Sequence, residues 1–119
     1  MARTLGGARS GLAAWWWQRV TAVYLLVFLA AGLGGLLLAP PQDYAQWRAF
    51  LAAPWVRVAL MLFVVATAVH AYVGVRDVFM DYVPRGGVRT TAFILWAAAV
   101  AAFVAWGVVW VTGLGGGVT

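Results

Sequence analysis

The chain has no cysteine, no lysine, no glutamate and a single histidine in 119 residues. Without cysteine it forms no disulfide, no thiolate metal site and no cysteine-ligated iron–sulfur cluster of its own. Charged residues of every kind amount to 9%, where a soluble domain has about a quarter. The net charge of +5 comes entirely from arginine. A nucleic-acid site needs a basic patch on a soluble face, and no such stretch is visible, so no nucleic acid is expected as a partner. What is present in excess is apolar: 66% of the residues are hydrophobic. A chain this short cannot hide that much in one small core, so the expected solvent is membrane lipid. Eight Trp, four Tyr and six Phe supply rings that favour the headgroup level.

A spanning helix takes roughly 17–25 mostly apolar residues. Val20 to Ala39 is one uncharged run closed by Pro40-Pro41, Val58 to Val75 is a second between Arg57 and Arg76, and a third follows Arg89. The expected fold is an all-α membrane protein, a single anchor domain over residues 1–119. Its three transmembrane helices are placed near 17–39, 55–82 and 90–112, and the segments between them read as linker. Arg3, Arg9 and Arg19 precede the first span, and Arg76, Arg85 and Arg89 surround the turn between the second and third. Only Arg48 and Arg57 flank the other loop. The bias of arginine predicts a cytoplasmic N-terminus and second turn, with the C-terminus on the opposite side. The first span is too long for a signal-peptide core and lacks a clear small-residue cleavage site, so it is expected to be retained.

Trp15-Trp16-Trp17 at the entry of the first span reads as an aromatic belt, or as a ring packed on a partner or ligand. Ala98, Ala101, Ala102 and Ala105 form a small-residue stripe on the third span that lets another helix approach closely.

The second span holds the stretch TAVHAYVGVRDVFMDY, residues 67–82. At about 100° per residue, Gly74, Asp77 and Asp81 fall within about 40° of His70, whereas Arg76 and Tyr82 lie about 120° away on either side. An ionisable face inside hydrocarbon costs at least a few kcal/mol and usually turns to a bundle interior or a site. Gly74 removes a side chain next to the histidine, which permits close approach of a helix or a flat group. Three roles stand open for His70: a hydrogen bond between helices, a proton relay, or an axial haem ligand. Asp77 and Asp81 read as solvated groups that pair with Arg76, Arg85 and Arg89; on the other reading, Asp81 and Tyr82 sit at the membrane boundary, where a small polar ligand could receive protons.

The pattern His70-Ala71-x-x-Gly74-x-x-x-Val78-x-x-Asp81-Tyr82 resembles the second-helix signature of the small hydrophobic, cytochrome b-type anchor subunit of succinate dehydrogenase, respiratory complex II. Gln18-Arg19-Val20-Thr21-Ala22 at the first helix, and Tyr44, Trp47, Phe50 and Pro54 in the first loop, resemble the same family, so the likeness covers about residues 15–112. The resemblance implies that His70 is an axial ligand to the iron of haem b, shared with a second anchor subunit that supplies the other histidine. It implies that Tyr82 hydrogen-bonds ubiquinone, that Asp81 supports the quinone site, and that Arg19 meets a haem propionate or neighbours that site. It further implies a non-catalytic anchor for an iron–sulfur subunit and a flavoprotein subunit, the latter oxidising succinate in the citric acid cycle and respiratory chain. The membrane implied is the bacterial inner membrane, ahead of the mitochondrial inner membrane. Three other functions remain: the anchor of a fumarate reductase, a small proton- or cation-conducting protein that uses His70 and Asp81, and a structural scaffold whose His70 only bonds between helices.

Overall fold

The computed structural model describes residues 2–115, with side chains described from 11 to 114. Arg3 and Arg9 as side chains, and the tail beyond 115, lie outside the described residues. Four helices follow one another: α1 (Ala2–Leu38), α2 (Tyr44–Ala52), α3 (Pro54–Tyr82) and α4 (Gly87–Gly115). No strand occurs among the described residues.

Three helices are long and apolar enough to cross a membrane: Gly11–Leu38, Pro54–Tyr82 and Gly87–Leu114. This is the expected three-span, all-helical architecture. Each has 28 or 29 residues, about 42 Å at the helical rise of about 1.5 Å per residue. A hydrocarbon layer is only about 30 Å thick, so the helix ends project into the headgroups or the helices tilt. The first and third spans are longer than the sequence suggested, while the second starts one residue earlier, at Pro54. No proline interrupts the chain before Pro40, so α1 is already helical at Ala2, and the three tryptophans lie inside it rather than at its start.

Prolines and arginines define the ends. The last bond at the end of α1 runs from Ala39 N to Gly35 O at 2.9 Å; Pro40-Pro41 cannot extend it. Ala53 is extended, with ψ 133°, as a residue before proline prefers, and Pro54 opens α3. At its other end, Val83 is extended ahead of Pro84, and Gly86, with φ 114°, supplies the left-handed turn into α4. Arg89 then reaches back to the last carbonyls of α3: Nη2 donates to Met80 O at 3.1 Å and Val83 O at 2.7 Å, and Nε to Val83 O at 3.1 Å. Arg57 does the same at the opposite end, donating to Val111 O and Thr112 O of α4, each at 3.3 Å. At the end of α3 the guanidinium thus meets carbonyls left open there, and near the end of α4, which runs on to Gly115, it adds a further donor to helix carbonyls; the helix dipole favours a cation at both places.

The segment 40–53, read as linker, contains α2. Asp43 caps it, its carboxylate accepting from Gln46 N at 2.8 Å, while Gln46 Oε1 accepts from Gln42 N at 2.9 Å. This is a variant of the reciprocal capping box. Trp47, Phe50 and Trp55 pack edge to face, with centroids 6.5 and 5.9 Å apart, and hold α2 against the start of α3.

The α3 helix is the central element. It packs on α1 on one side and on α4 on the other, and α1 and α4 do not meet among the described residues. Five of the buried hydrophobic residues, Val56, Val64, Ala66, Ala68 and Val73, lie on α3. Against α1, Phe28 stacks on Phe63 at 4.5 Å, and Tyr24 OH donates to Ala59 O at 2.6 Å. Against α4, Phe79 meets Phe93 edge to face at 5.5 Å, and Gly107 sits on Val64. The alanine stripe of α4 (Ala98, Ala101, Ala102, Ala105) is exposed and faces away from α3, so Gly107 carries the close approach within the chain.

A Cβ at Gly107 would stand 2.7 and 2.8 Å from the two methyl carbons of Val64, a buried β-branched side chain with little freedom to move. Gly107→Ala is therefore expected to destabilise the chain by about 1–3 kcal/mol through overpacking. Val64→Ala in the same chain should recover much of the loss. Thermal denaturation of the detergent-solubilised protein measures both; additive losses would contradict this contact.

Candidate functional site

The polar residues of the membrane-spanning region collect where α1 crosses α3. Thr21 is buried, at 5% relative exposure, and its Oγ1 lies 3.2 Å from His70 Nδ1. The same hydroxyl is 2.6 Å from Trp17 O and 3.2 Å from Gln18 O. Such back-bonding within a helix is how a threonine satisfies itself in hydrocarbon. His70 is half-buried, and among the described residues no hydrogen bond engages its Nε2.

One turn further toward the α3–α4 turn, a Cβ on Gly74 would meet Gln18 Nε2 at 3.5 Å. The glycine thus makes room for α1, as the close-approach reading required, and the neighbour at that point is Gln18. Beyond it a groove of about 640 Å³ opens between the two helices, lined by Gly11, Ala14, Trp15, Gln18, Arg19, Arg76, Asp77 and Met80. Its polar groups are mixed in charge. The Arg19 guanidinium carbon lies 5.4 Å from the Trp15 ring centroid, a cation–π contact. Arg76 pairs with Asp77 at 3.6 Å. Gln18 Oε1 is buried without a hydrogen-bond partner, an acceptor that a ligand or water donor can fill.

Of the residues singled out in the sequence, the structure brings His70, Gly74, Asp77 and Arg19 to this seam. Asp81 and Tyr82 are not part of it. Both are exposed, Tyr82 at 81%, and α3 stays helical through Tyr82 before turning extended at Val83. The phenol therefore looks to a different neighbour from the histidine, as its position about 120° round the helix dictates. Three residues at the seam had no site role in the sequence reading. Thr21 and Gln18 depend on the register between α1 and α3, which no local pattern encodes. Arg76 points away from His70 on a helical wheel, yet its long side chain reaches round to the groove.

Residues 1–112 match the family described as succinate dehydrogenase/fumarate reductase transmembrane subunit. The chain belongs to that family. It is similar to the succinate dehydrogenase hydrophobic membrane anchor subunit of Coxiella burnetii (strain RSA 493 / Nine Mile phase I), with 24% identity over 101 residues, covering 85% of this chain and 88% of that protein. Family membership accords with the three apolar spans.

Because the Gly74 Cβ position contacts only the end of a flexible amide, Gly74→Ala should leave the assembled protein close to wild type. Gly74→Leu should force α1 off α3 at Gln18 and lower the midpoint of thermal denaturation by several degrees, about 1–3 kcal/mol of overpacking. Equal behaviour of the two variants would mean that α1 does not approach here.

Proposed function

We propose that this chain is the membrane anchor of a succinate dehydrogenase, co-ligating haem b through His70 and contributing Tyr82 to a ubiquinone site. The observation that carries the reading is the donor set at the seam. His70 is half-buried between two helices, with one ring nitrogen engaged by Thr21 and the other unpartnered among the described residues. Arg19 and Arg76 line the groove one to two turns away along the same face of the crossing. An imidazole nitrogen suits haem iron, and guanidinium groups suit the carboxylates that such a macrocycle bears. Gly74 adds no side chain of its own between the two, and the flexible Gln18 amide, 3.5 Å from its Cβ position, is the group that a macrocycle would displace. The residues present therefore fit the group.

In this reading His70 would hold the iron, and Arg19 and Arg76 would meet the propionates. A second anchor subunit would supply another histidine. The haem, when bound, supplies a one-electron redox centre within the membrane. Tyr82, exposed on the last turn of α3, offers a hydroxyl donor to a quinone carbonyl, and Asp81 beside it provides a carboxylate through which a proton reaches that site. The axial distance from His70 to Tyr82 is about 18 Å at about 1.5 Å per residue, which keeps the two sites at different depths. Succinate oxidation belongs to a flavoprotein partner and electron relay to an iron–sulfur partner, in keeping with a sequence that holds no cysteine to ligate a cluster. The N-terminus and the α3–α4 turn lie on the cytoplasmic side of a bacterial inner membrane, following the arginine bias. A fumarate reductase anchor has the same parts; the direction of flow is set by the quinone and the partners.

Two measurements test this on the purified membrane complex. The wild type should show a low-spin b-type absorption spectrum that His70→Ala abolishes while the chain remains in the membrane. A wild-type complex without haem defeats the ligand assignment. Tyr82→Phe should impair quinone reduction at least tenfold while leaving succinate oxidation by an artificial dye intact; unchanged quinone kinetics would remove the tyrosine from the site.

A further inference from the structure

We infer that Thr21 is the positioning residue of His70: its hydroxyl accepts the Nδ1–H proton, fixes the ring in one tautomer and leaves Nε2 as the metal-binding nitrogen. This rests on the proposal that His70 ligates haem iron, and it adds a residue on a different helix to that site. The hydroxyl has one hydrogen and three neighbours within bonding distance. Two of them, Trp17 O and Gln18 O, are carbonyls and can only accept. The shortest contact is to Trp17 O, at 2.6 Å, so the hydrogen goes there. The remaining contact, 3.2 Å to His70 Nδ1, is then satisfied only if the imidazole donates. The resulting chain runs from Nδ1–H of α3 to Oγ1 of α1 and on to a backbone carbonyl of α1.

Two further observations support this assignment. Thr21 is the one buried polar residue among the described residues, so its hydroxyl is shielded from water that would compete for the bond. In addition, the carbonyl that receives its hydrogen belongs to a helix backbone, which fixes the oxygen in place. A metal-bound histidine is usually oriented by a hydrogen bond from its other ring nitrogen, and that bond raises its basicity and settles which nitrogen binds. A more basic imidazole stabilises the ferric over the ferrous state, so loss of the bond raises the midpoint potential.

The test uses the purified membrane complex containing wild type, Thr21→Val, Thr21→Ser and His70→Ala. Thr21→Val preserves shape and removes the acceptor. It is expected to retain the haem spectrum, to raise the haem midpoint potential and to speed haem loss to an apo-protein acceptor roughly tenfold. Thr21→Ser keeps the hydroxyl and should restore both values. Should Thr21→Val fail to assemble, Thr21→Ala provides the same comparison with serine. A hydroxyl-free variant with the potential and haem retention of wild type, in a complex where His70→Ala has lost its haem, overturns the role of Thr21 while His70 stands as ligand. Full haem retention in His70→Ala overturns the ligand itself, and Thr21's role with it.

Discussion

In hydrocarbon a backbone cannot leave its hydrogen bonds open, and the whole chain is arranged around that constraint. Helices satisfy their interiors automatically, but each leaves carbonyls open at its end. Here Arg89 closes those at the end of α3, and Arg57 adds a donor to two carbonyls near the end of α4. Each thereby joins α3 to α4 at a different end of the bundle. The α1 helix has no such clasp from the described side chains. It is held by packing and by two polar contacts, Tyr24 to Ala59 O and Thr21 to His70.

The same constraint explains the thin core. With α3 between two helices that do not touch, only one element is covered on two sides. The outer faces of α1 and α4 are large and apolar, with Leu26, Leu37, Ile94, Leu95, Trp106 and Val109 among the exposed residues. In water this would be untenable; in a bilayer such faces meet lipid tails or other helices at little cost, and association is decided by close packing rather than by hiding oil from water. Membership of a family of transmembrane subunits fits a chain whose polar residues gather on an inner seam instead.

The three spans, their order and the shared face of His70, Gly74 and Asp77 were legible from the sequence, because apolar run length and a 3.6-residue period are local signals. The α2 helix was signalled less loudly. Asp43 followed three residues later by Gln46, and aromatics at 44, 47 and 50, are a start signal and a helical face, but in a segment flanked by Pro-Pro they read as loop. What the sequence could not supply is register. Thr21 and His70 are 49 positions apart, and nothing in either helix alone says that they meet. Arg76 shows the limit of a helical wheel, which gives the direction of Cβ and not the reach of a flexible side chain. Tyr82 fell outside the groove because α3 keeps its regular twist to its last residue, whereas Asp81, on the face of His70, is exposed in the last turn beyond the residues that line the groove.

That regular end has a consequence for Tyr82. Arg89 binds the carbonyls of Met80 and Val83, one on each side of the tyrosine, so the backbone beneath the phenol is tied to α4 while the ring stands exposed. A molecule that meets this hydroxyl has only two side-chain torsions to freeze, not a loop to fold. The entropy usually lost in organising a recognition element has been surrendered in advance, when the chain turned from α3 into α4.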